Sequence, residues 1–221
     1  MSMIIQVFEN EAQVAKAGAA LIAAQLLDEP QSVLGLPTGS TPLGVYQELS
    51  KLYDEGVISF AEVATFNLDE YIGLDKHHQQ SYFQYMVQNL FSKVNIKPEN
   101  IHIPDGTASD PIRECERYEE RIVDLGGIDL QMLGLGRNGH IGFNEPNTYF
   151  PKATHVVELT EDTINANARF FPAQDDVPRR AISMGIGSVM DAARVLLIAT
   201  GEGKAEAVKN MIQGHIDPRW Q

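Results

Sequence analysis

Val33-Leu34-Gly35-Leu36-Pro37-Thr38-Gly39-Ser40-Thr41-Pro42 runs from four residues of strand composition, through a small polar loop, into a proline at a helix start. Leu43, Tyr46, Leu49 and Leu52 then recur at helical spacing, and Gly56 closes the pattern. This is a strand–loop–helix unit, and the alternation extends in both directions. Upstream, residues 3–8 form a first apolar run of strand length. Asn10 then caps a helix over 11–27, with Gln13 at N3 as a variant of the capping box, and Pro30 ends it. Val14, Leu21, Ile22 and Leu26 mark the buried face of that helix. Downstream, 63–67, 129–135, 181–184 and 195–200 read as buried strands. Ser81 and Asp110-Pro111 read as helix starts, the second with proline at N1, and 202–212 as a last helix. Strands alternating with helices predict a three-layer α/β fold: a mainly parallel, open, Rossmann-like sheet with helices on both faces. With no internal repeat, low-complexity tract or linker, residues 1–221 read as a single domain.

At 221 residues the chain has about one and a half typical domain lengths. Hydrophobic residues make up 43% and charged residues 21%, which excludes wholesale disorder. Seventeen Lys and Arg against 30 Asp and Glu give a net charge of −13, which repels phosphate backbones and argues against nucleic-acid partners. Cys115 is the single cysteine, which excludes an intramolecular disulfide and a four-thiolate zinc site. Residues 1–10 carry no basic residue ahead of their apolar run, unlike a secretory signal, and no apolar stretch approaches the ~18 residues of a membrane span. A cytoplasmic protein without a membrane partner is the expectation.

Sites in such folds lie at the carboxyl ends of the strands, so the segments after Leu36, Asn67 and Leu135 are the candidates. In the first, the helix start and the hydroxyls of Thr38, Ser40 and Thr41 suit an anion, although plain helix capping explains them too. No lysine follows Gly39 as a Walker loop would require. In the second, Phe66-Asn67-Leu68-Asp69-Glu70-Tyr71, adjacent carboxylates suit acid–base work; the alternative is a turn whose Asp69 satisfies local donors. In the third, Gly134-Leu135-Gly136-Arg137-Asn138-Gly139-His140-Ile141-Gly142-Phe143-Asn144-Glu145-Pro146, residues 134–139 fit the dinucleotide glycine pattern only formally. Gly142, Asn144 and Pro146 interrupt the helix that should follow. What remains is a turn presenting His140, with Asn138 nearby and Glu145 able to orient the imidazole. A metal site of Asp69, His140 and Glu145 is the other use of these side chains. His77, His78, His102, His155 and His215 read as surface or structural residues.

Together the motifs resemble the glucosamine-6-phosphate deaminase family, also called the glucosamine/galactosamine-6-phosphate isomerase family. Its L-P-T-G-x-T-P matches residues 36–42, F-N-x-D-E-Y matches 66–71 and G-H-I-x-F-N-E-P matches 139–146. Gly73-Leu74, Ser81-Tyr82, Arg169-Phe170-Phe171 and residues 201–205 extend the likeness over nearly the whole chain. The resemblance implies conversion of glucosamine 6-phosphate to fructose 6-phosphate and ammonia, with neither cofactor nor metal. It implies that Asp69 moves a proton from C2 to C1, that His140 opens the sugar ring, and that Glu145 and Asn138 assist. Thr38, Gly39, Ser40 and Thr41 are then the phosphate loop, joined by Arg169 and Lys204, with residues 154–184 as a lid. Many relatives carry aspartate where Asn138 stands, so Asn138 is expected to position rather than to titrate. The family normally continues with a short helix and a final strand, so further chain is expected after Gln221.

Two other readings compete. A 6-phosphogluconolactonase shares this fold and a similar phosphate loop, but residues 67–71 and 143–146 fit the deaminase. A sugar-phosphate-sensing regulatory module would need a DNA-binding helical segment, for which this acidic chain has no basic helix. Hexameric relatives bind N-acetylglucosamine 6-phosphate through a basic pair whose positions here are His155 and Val157. A monomer or small homo-oligomer without that activator is the expectation.

Overall fold

A computed structural model describes residues 3–219. In chain order its elements are α1 (Glu11–Asp28), β1 (Val33–Leu36), α2 (Leu43–Asp54), β2 (Ala64–Asn67), β3 (Asp69–Tyr71), α3 (Tyr82–Asn89), β4 (Ile101–His102) and α4 (Pro111–Asp124). There follow β5 (Leu130–Gly134), β6 (His155–Glu158), α5 (Glu161–Asn167), β7 (Arg180–Ser183), α6 (Ile186–Met190), β8 (Arg194–Ile198) and α7 (Ala205–Gln213). The predicted caps form. Asn10 accepts from the Gln13 N–H at 3.0 Å, Ser81 from the Gln84 N–H at 3.1 Å, and Asp110 from the Ile112 and Arg113 N–H groups. The Gln13 side chain accepts from the Glu9 N–H, one residue before the position a capping box would use.

Five strands form a parallel sheet in the order β4-β2-β1-β5-β8. Every residue of β1 is buried, as a central parallel strand covered on both faces requires. Its side chains still alternate. Leu34 and Leu36 join Ile22, Leu26, Val45, Tyr46, Leu49 and Met86 beneath α1, α2 and α3, whereas Val33 joins Tyr118, Ile122 and Val189 beneath α4 and α6. The chain moves outward from β1 through β2 to β4, then crosses back to β5 on the other side. The strand order therefore reverses between β1 and β5, and the loops that leave their carboxyl ends diverge around a crevice.

Three expectations change. Residues 181–184 are a strand, but β7 lies in a separate antiparallel sheet of order β3-β7-β6. β3 and β6 are too short and too polar to announce themselves by alternation. Residues 3–8 are not a strand: among the described residues they are unpaired and exposed, although their composition shows a capacity to pair. The run at 195–200 is an edge strand rather than a buried one, with Val195 42% exposed. The last helix starts as a short 3-10 turn at Glu202–Lys204.

Candidate active site

The loop after β1 is the first wall. Gly39 sits at φ +96°, a left-handed conformation that favours glycine. The Tyr46 hydroxyl of α2 donates to the Pro37 carbonyl at 2.5 Å, and the Tyr85 hydroxyl of α3 donates to the Gly39 carbonyl at 2.6 Å. These bonds fix the peptide planes of the loop. Thr38 and Thr41 are half-buried, and Gly39 and Ser40 are exposed. α2 starts at Pro42 without a capping side chain, so its first-turn N–H groups stay available to an anion. Across the crevice, Gly134 faces Thr41: a Cβ added at Gly134 would lie 4.0 Å from the Thr41 Cβ.

Cations arrive from the ends of β5 and β8. Lys204 donates through Nζ to the Leu135 carbonyl. Burial, and then the nearby Arg137 guanidinium, push the Lys204 ammonium pKa down. Two cations held this close disfavour each other and favour a shared anion. Arg137 was not singled out by sequence because, inside the glycine-rich motif, it reads as one more variable position. Arg169 does not join this group by contact. It is exposed and stacks over the Phe170 ring at 4.7 Å, with no hydrogen bond to the loop among the described residues.

Asp69 and Glu70 are both buried, but strand alternation sends them to different surroundings. Glu70 accepts from the Tyr71, Tyr82 and Phe83 N–H groups at 2.9, 3.0 and 3.0 Å, where α3 begins. It is a structural carboxylate. Asp69 receives no hydrogen bond from the described residues. Burial, and then the Glu70 charge, push its pKa up to about 8. In the ladder Asp69 sits opposite Ser183, and a Cβ added at Gly142 would lie 3.1 Å from both the Asp69 Oδ2 and the Ser183 Oγ. A larger residue at 142 would crowd the carboxylate. The Ser183 hydroxyl accepts from the Phe143 N–H at 3.1 Å, and the Asn144 amide donates to the Ile141 and Met184 carbonyls, so the turn is pinned against Asp69.

His140 begins that turn. Its Nδ1 lies 2.7 Å from the Asn138 Oδ1, and the Asn138 amide donates to the Glu145 Oε2 at 2.7 Å. The direct distance from His140 Nδ1 to Glu145 Oε2 is 3.6 Å. Glu145 therefore reaches His140 through Asn138 rather than by direct contact. A carboxylate can only accept, so the Asn138 NH2 must face Glu145 and its oxygen must face the imidazole. Nδ1 is then the protonated nitrogen, which leaves Nε2 for the chemistry. Burial pushes the Glu145 carboxyl up, but the nearby His140 imidazole and hydrogen bonds from Asn138 and Thr163 outweigh it and hold the pKa at about 2. Thr163 was not singled out by sequence; it donates to the Glu145 Oε1 at 2.9 Å from 18 residues away.

Of the other histidines, His77, His78 and His215 lie exposed on the surface and His102 takes a structural place. The His102 ring packs on Phe66, and burial, followed by the charges of Arg121 and Arg117, pushes its pKa down to about 4. Among the described residues no group of three His, Cys, Asp or Glu side chains could hold a metal ion, and no helix is long and apolar enough to cross a membrane. The site thus offers a loop whose helix-start N–H groups suit an anion, two neighbouring cations beyond β5 and β8, a buried carboxylate of raised pKa, and an imidazole with a defined tautomer.

Comparison with known proteins covers nearly the whole chain. The sequence model of the family described as glucosamine-6-phosphate isomerases/6-phosphogluconolactonase matches residues 9–220. The glucosamine-6-phosphate deaminase of Alkaliphilus oremlandii (strain OhILAs) is 52% identical over 216 residues, 98% of this chain and 90% of that one. A solved structure described as a monomeric glucosamine-6-phosphate deaminase superposes with a TM-score of 0.95 at 43% identity, covering 99% of this chain and 90% of the other. The 6-phosphogluconolactonase of Thermotoga maritima shares the fold, with a TM-score of 0.74 at 20% identity over 99% of this chain and 94% of its own. Both the full-length match and the placement of its motifs at the strand ends make this chain a member of the family of glucosamine-6-phosphate isomerases and 6-phosphogluconolactonases.

Proposed function

We propose that the chain deaminates and isomerises glucosamine 6-phosphate to fructose 6-phosphate and ammonia. The observation that carries this reading is the pairing of two separate proton-transfer devices, Asp69 in β3 and the His140–Asn138–Glu145 relay on the turn packed against it, beside a loop suited to an anion. His140 Nε2 takes the proton of the C1 hydroxyl while the ring oxygen is protonated, which gives the open-chain aldehyde. Asp69, as carboxylate, then removes the C2 proton to form an enolamine and returns a proton to C1. The C2 iminium that results adds water and expels ammonia, leaving the ketone. Each step moves protons or water, so the chemistry needs no redox cofactor. Thr38, Gly39, Ser40 and Thr41, with Lys204 and Arg137, hold the phosphate. Arg169 closes on it from the 154–184 segment, which acts as a lid within one 1–221 domain.

A buried carboxylate of raised pKa favours this reading over the lactonase: lactone hydrolysis breaks no C–H bond and has no use for a base at C2. Relatives with the deaminase name support the same choice. The protein works in the cytoplasm as a monomer or small oligomer without an activating sugar phosphate. Val157 carries no charge, and burial pushes the His155 pKa down, so neither position supplies a cation at neutral pH. The test is ammonia release from glucosamine 6-phosphate by the purified protein, run beside hydrolysis of 6-phosphogluconolactone. Ammonia without lactone hydrolysis is expected; the reverse overturns the reading.

A further inference from the structure

α5 carries no residue of the proposed proton-transfer steps, yet its first turn reaches the proposed ring-opening relay. Thr160 caps the helix by accepting from the Thr163 N–H at 3.2 Å. The Thr160 hydroxyl in turn donates to the Thr163 hydroxyl at 3.0 Å. A hydroxyl has one hydrogen, and with its lone pair engaged by Thr160 the Thr163 hydrogen goes to the Glu145 Oε1 at 2.9 Å. On the other oxygen, Glu145 accepts from Asn138, whose carbonyl accepts from His140. Two donor chains therefore converge on one carboxylate, one from α5 and one from the imidazole, and such chains reinforce each other in a partly buried site. α5 is seated by Ile164, buried in the cluster that also holds Tyr71 and Phe143, so Thr163 reports the position of the segment against the site.

We propose that Thr163 is a positioning residue that locks Glu145, and through Asn138 the Nδ1–H tautomer of His140, only when α5 is seated. The proposal rests on the reading above for its catalytic consequence, but not for its structural one. With α5 seated, both Glu145 oxygens are held, Asn138 cannot flip, and Nε2 is the free nitrogen. With α5 lifted, the Oε1 hydrogen bond is lost and the carboxylate gains a rotamer in which Asn138 is released. Ring opening would thus proceed efficiently only under a closed segment, where the open-chain amino aldehyde is protected from solvent.

The test uses the full chain and two variants. Thr163→Val keeps the β-branched shape and the backbone N–H that caps α5, and removes only the hydroxyl; Thr163→Ser restores it. Nitrogen-15 shifts of the His140 ring, assigned with the aid of His140→Gln, report the tautomer without any turnover. Thr163→Val is expected to convert a single Nδ1–H tautomer into a mixture, and to lower kcat on the closed-ring sugar by about three- to tenfold, with KM unchanged. Its rate on an open-chain analogue stays unaltered, and Thr163→Ser recovers the wild-type tautomer and rate. An unchanged tautomer in Thr163→Val, or a Thr163→Ser variant no better than Thr163→Val, overturns the proposal. Absence of ammonia release by the wild-type protein overturns the functional reading instead, and the tautomer result still decides the role of Thr163.

Discussion

The five-stranded parallel sheet presents its functional groups on loops beyond the strand ends. The three-stranded antiparallel sheet holds one inside a strand. Thr38 to Thr41, Arg137, His140 and Lys204 all follow the last residue of β1, β5 or β8. Asp69 instead sits in the β3 ladder opposite Ser183. The difference matches the proposed task. A phosphate needs several donors that approach from different directions, which diverging loops supply. A base for a C–H proton must be dry and fixed, which a ladder position supplies. The same ladder explains how two adjacent carboxylates part company: alternation turns Asp69 toward Gly142 and Glu70 toward the start of α3.

The sharpest way to break this comparison is to exchange the fates of the two carboxylates. Asp69→Asn is expected to cut kcat by ~10²–10⁴-fold, because the lost interaction is made chiefly in the transition state. Its substrate affinity stays near wild type, and solvent deuterium at C1 of the product falls in step with the rate. A variant that keeps most of its activity refutes the ladder position as the base. Glu70→Ala should do the opposite. It strands one buried and two part-buried N–H groups and is expected to cost about 3 kcal/mol of stability, or roughly 6–12 °C in Tm. Thermal melts that show Glu70→Ala unchanged would refute its structural role.

On the loop side the expected effects are smaller. Lys204→Ala should raise KM for the phosphorylated sugar by about tenfold, one charge-assisted hydrogen bond. Free glucosamine should be affected far less; equal losses on both sugars would remove Lys204 from the phosphate site. The mildest test is pH. With its pKa held at about 8, Asp69 is mostly protonated at pH 7, so kcat/KM should climb about tenfold from pH 7 to 9, steeply near pH 7 and levelling off above about pH 8. The stability sign is opposite. The folded protein retains a proton that the unfolded chain releases near pH 4, so this contribution is present below about pH 4 and is lost as pH rises through about 8. Asp69→Asn should then raise Tm at pH 9 more than at pH 5, and melts at the two pH values check it.

Several features were legible in the chain itself because they are local. Four apolar residues followed by small polar ones and a proline announce β1, its loop and α2 without knowledge of anything distant. The caps at Asn10, Ser81 and Asp110 depend on donors only two or three residues away. The motifs around Asp69 and His140 are likewise contiguous, so the site residues could be named by position. The second sheet could not be read, because its strands of three or four residues become strands only when residues 69–71, 155–158 and 180–183 meet. Residues 3–8 show the converse: strand composition that finds no pairing among the described residues.

Tertiary structure alone decided the electrostatics. Nothing near Asp69 in sequence distinguishes its carboxyl from that of Glu70, yet burial without donors raises one to about 8 while three backbone donors oppose the same rise in the other. Nor does any local signal place Thr163 on Glu145, or Arg137 beside Lys204. Periodicity and capping are short-range properties of the backbone, and the amino-acid order determines them directly. The ionisation of a group, the tautomer of an imidazole and the pairing of a distant hydroxyl depend on which surfaces are excluded from water together, and that is settled only when the layers close.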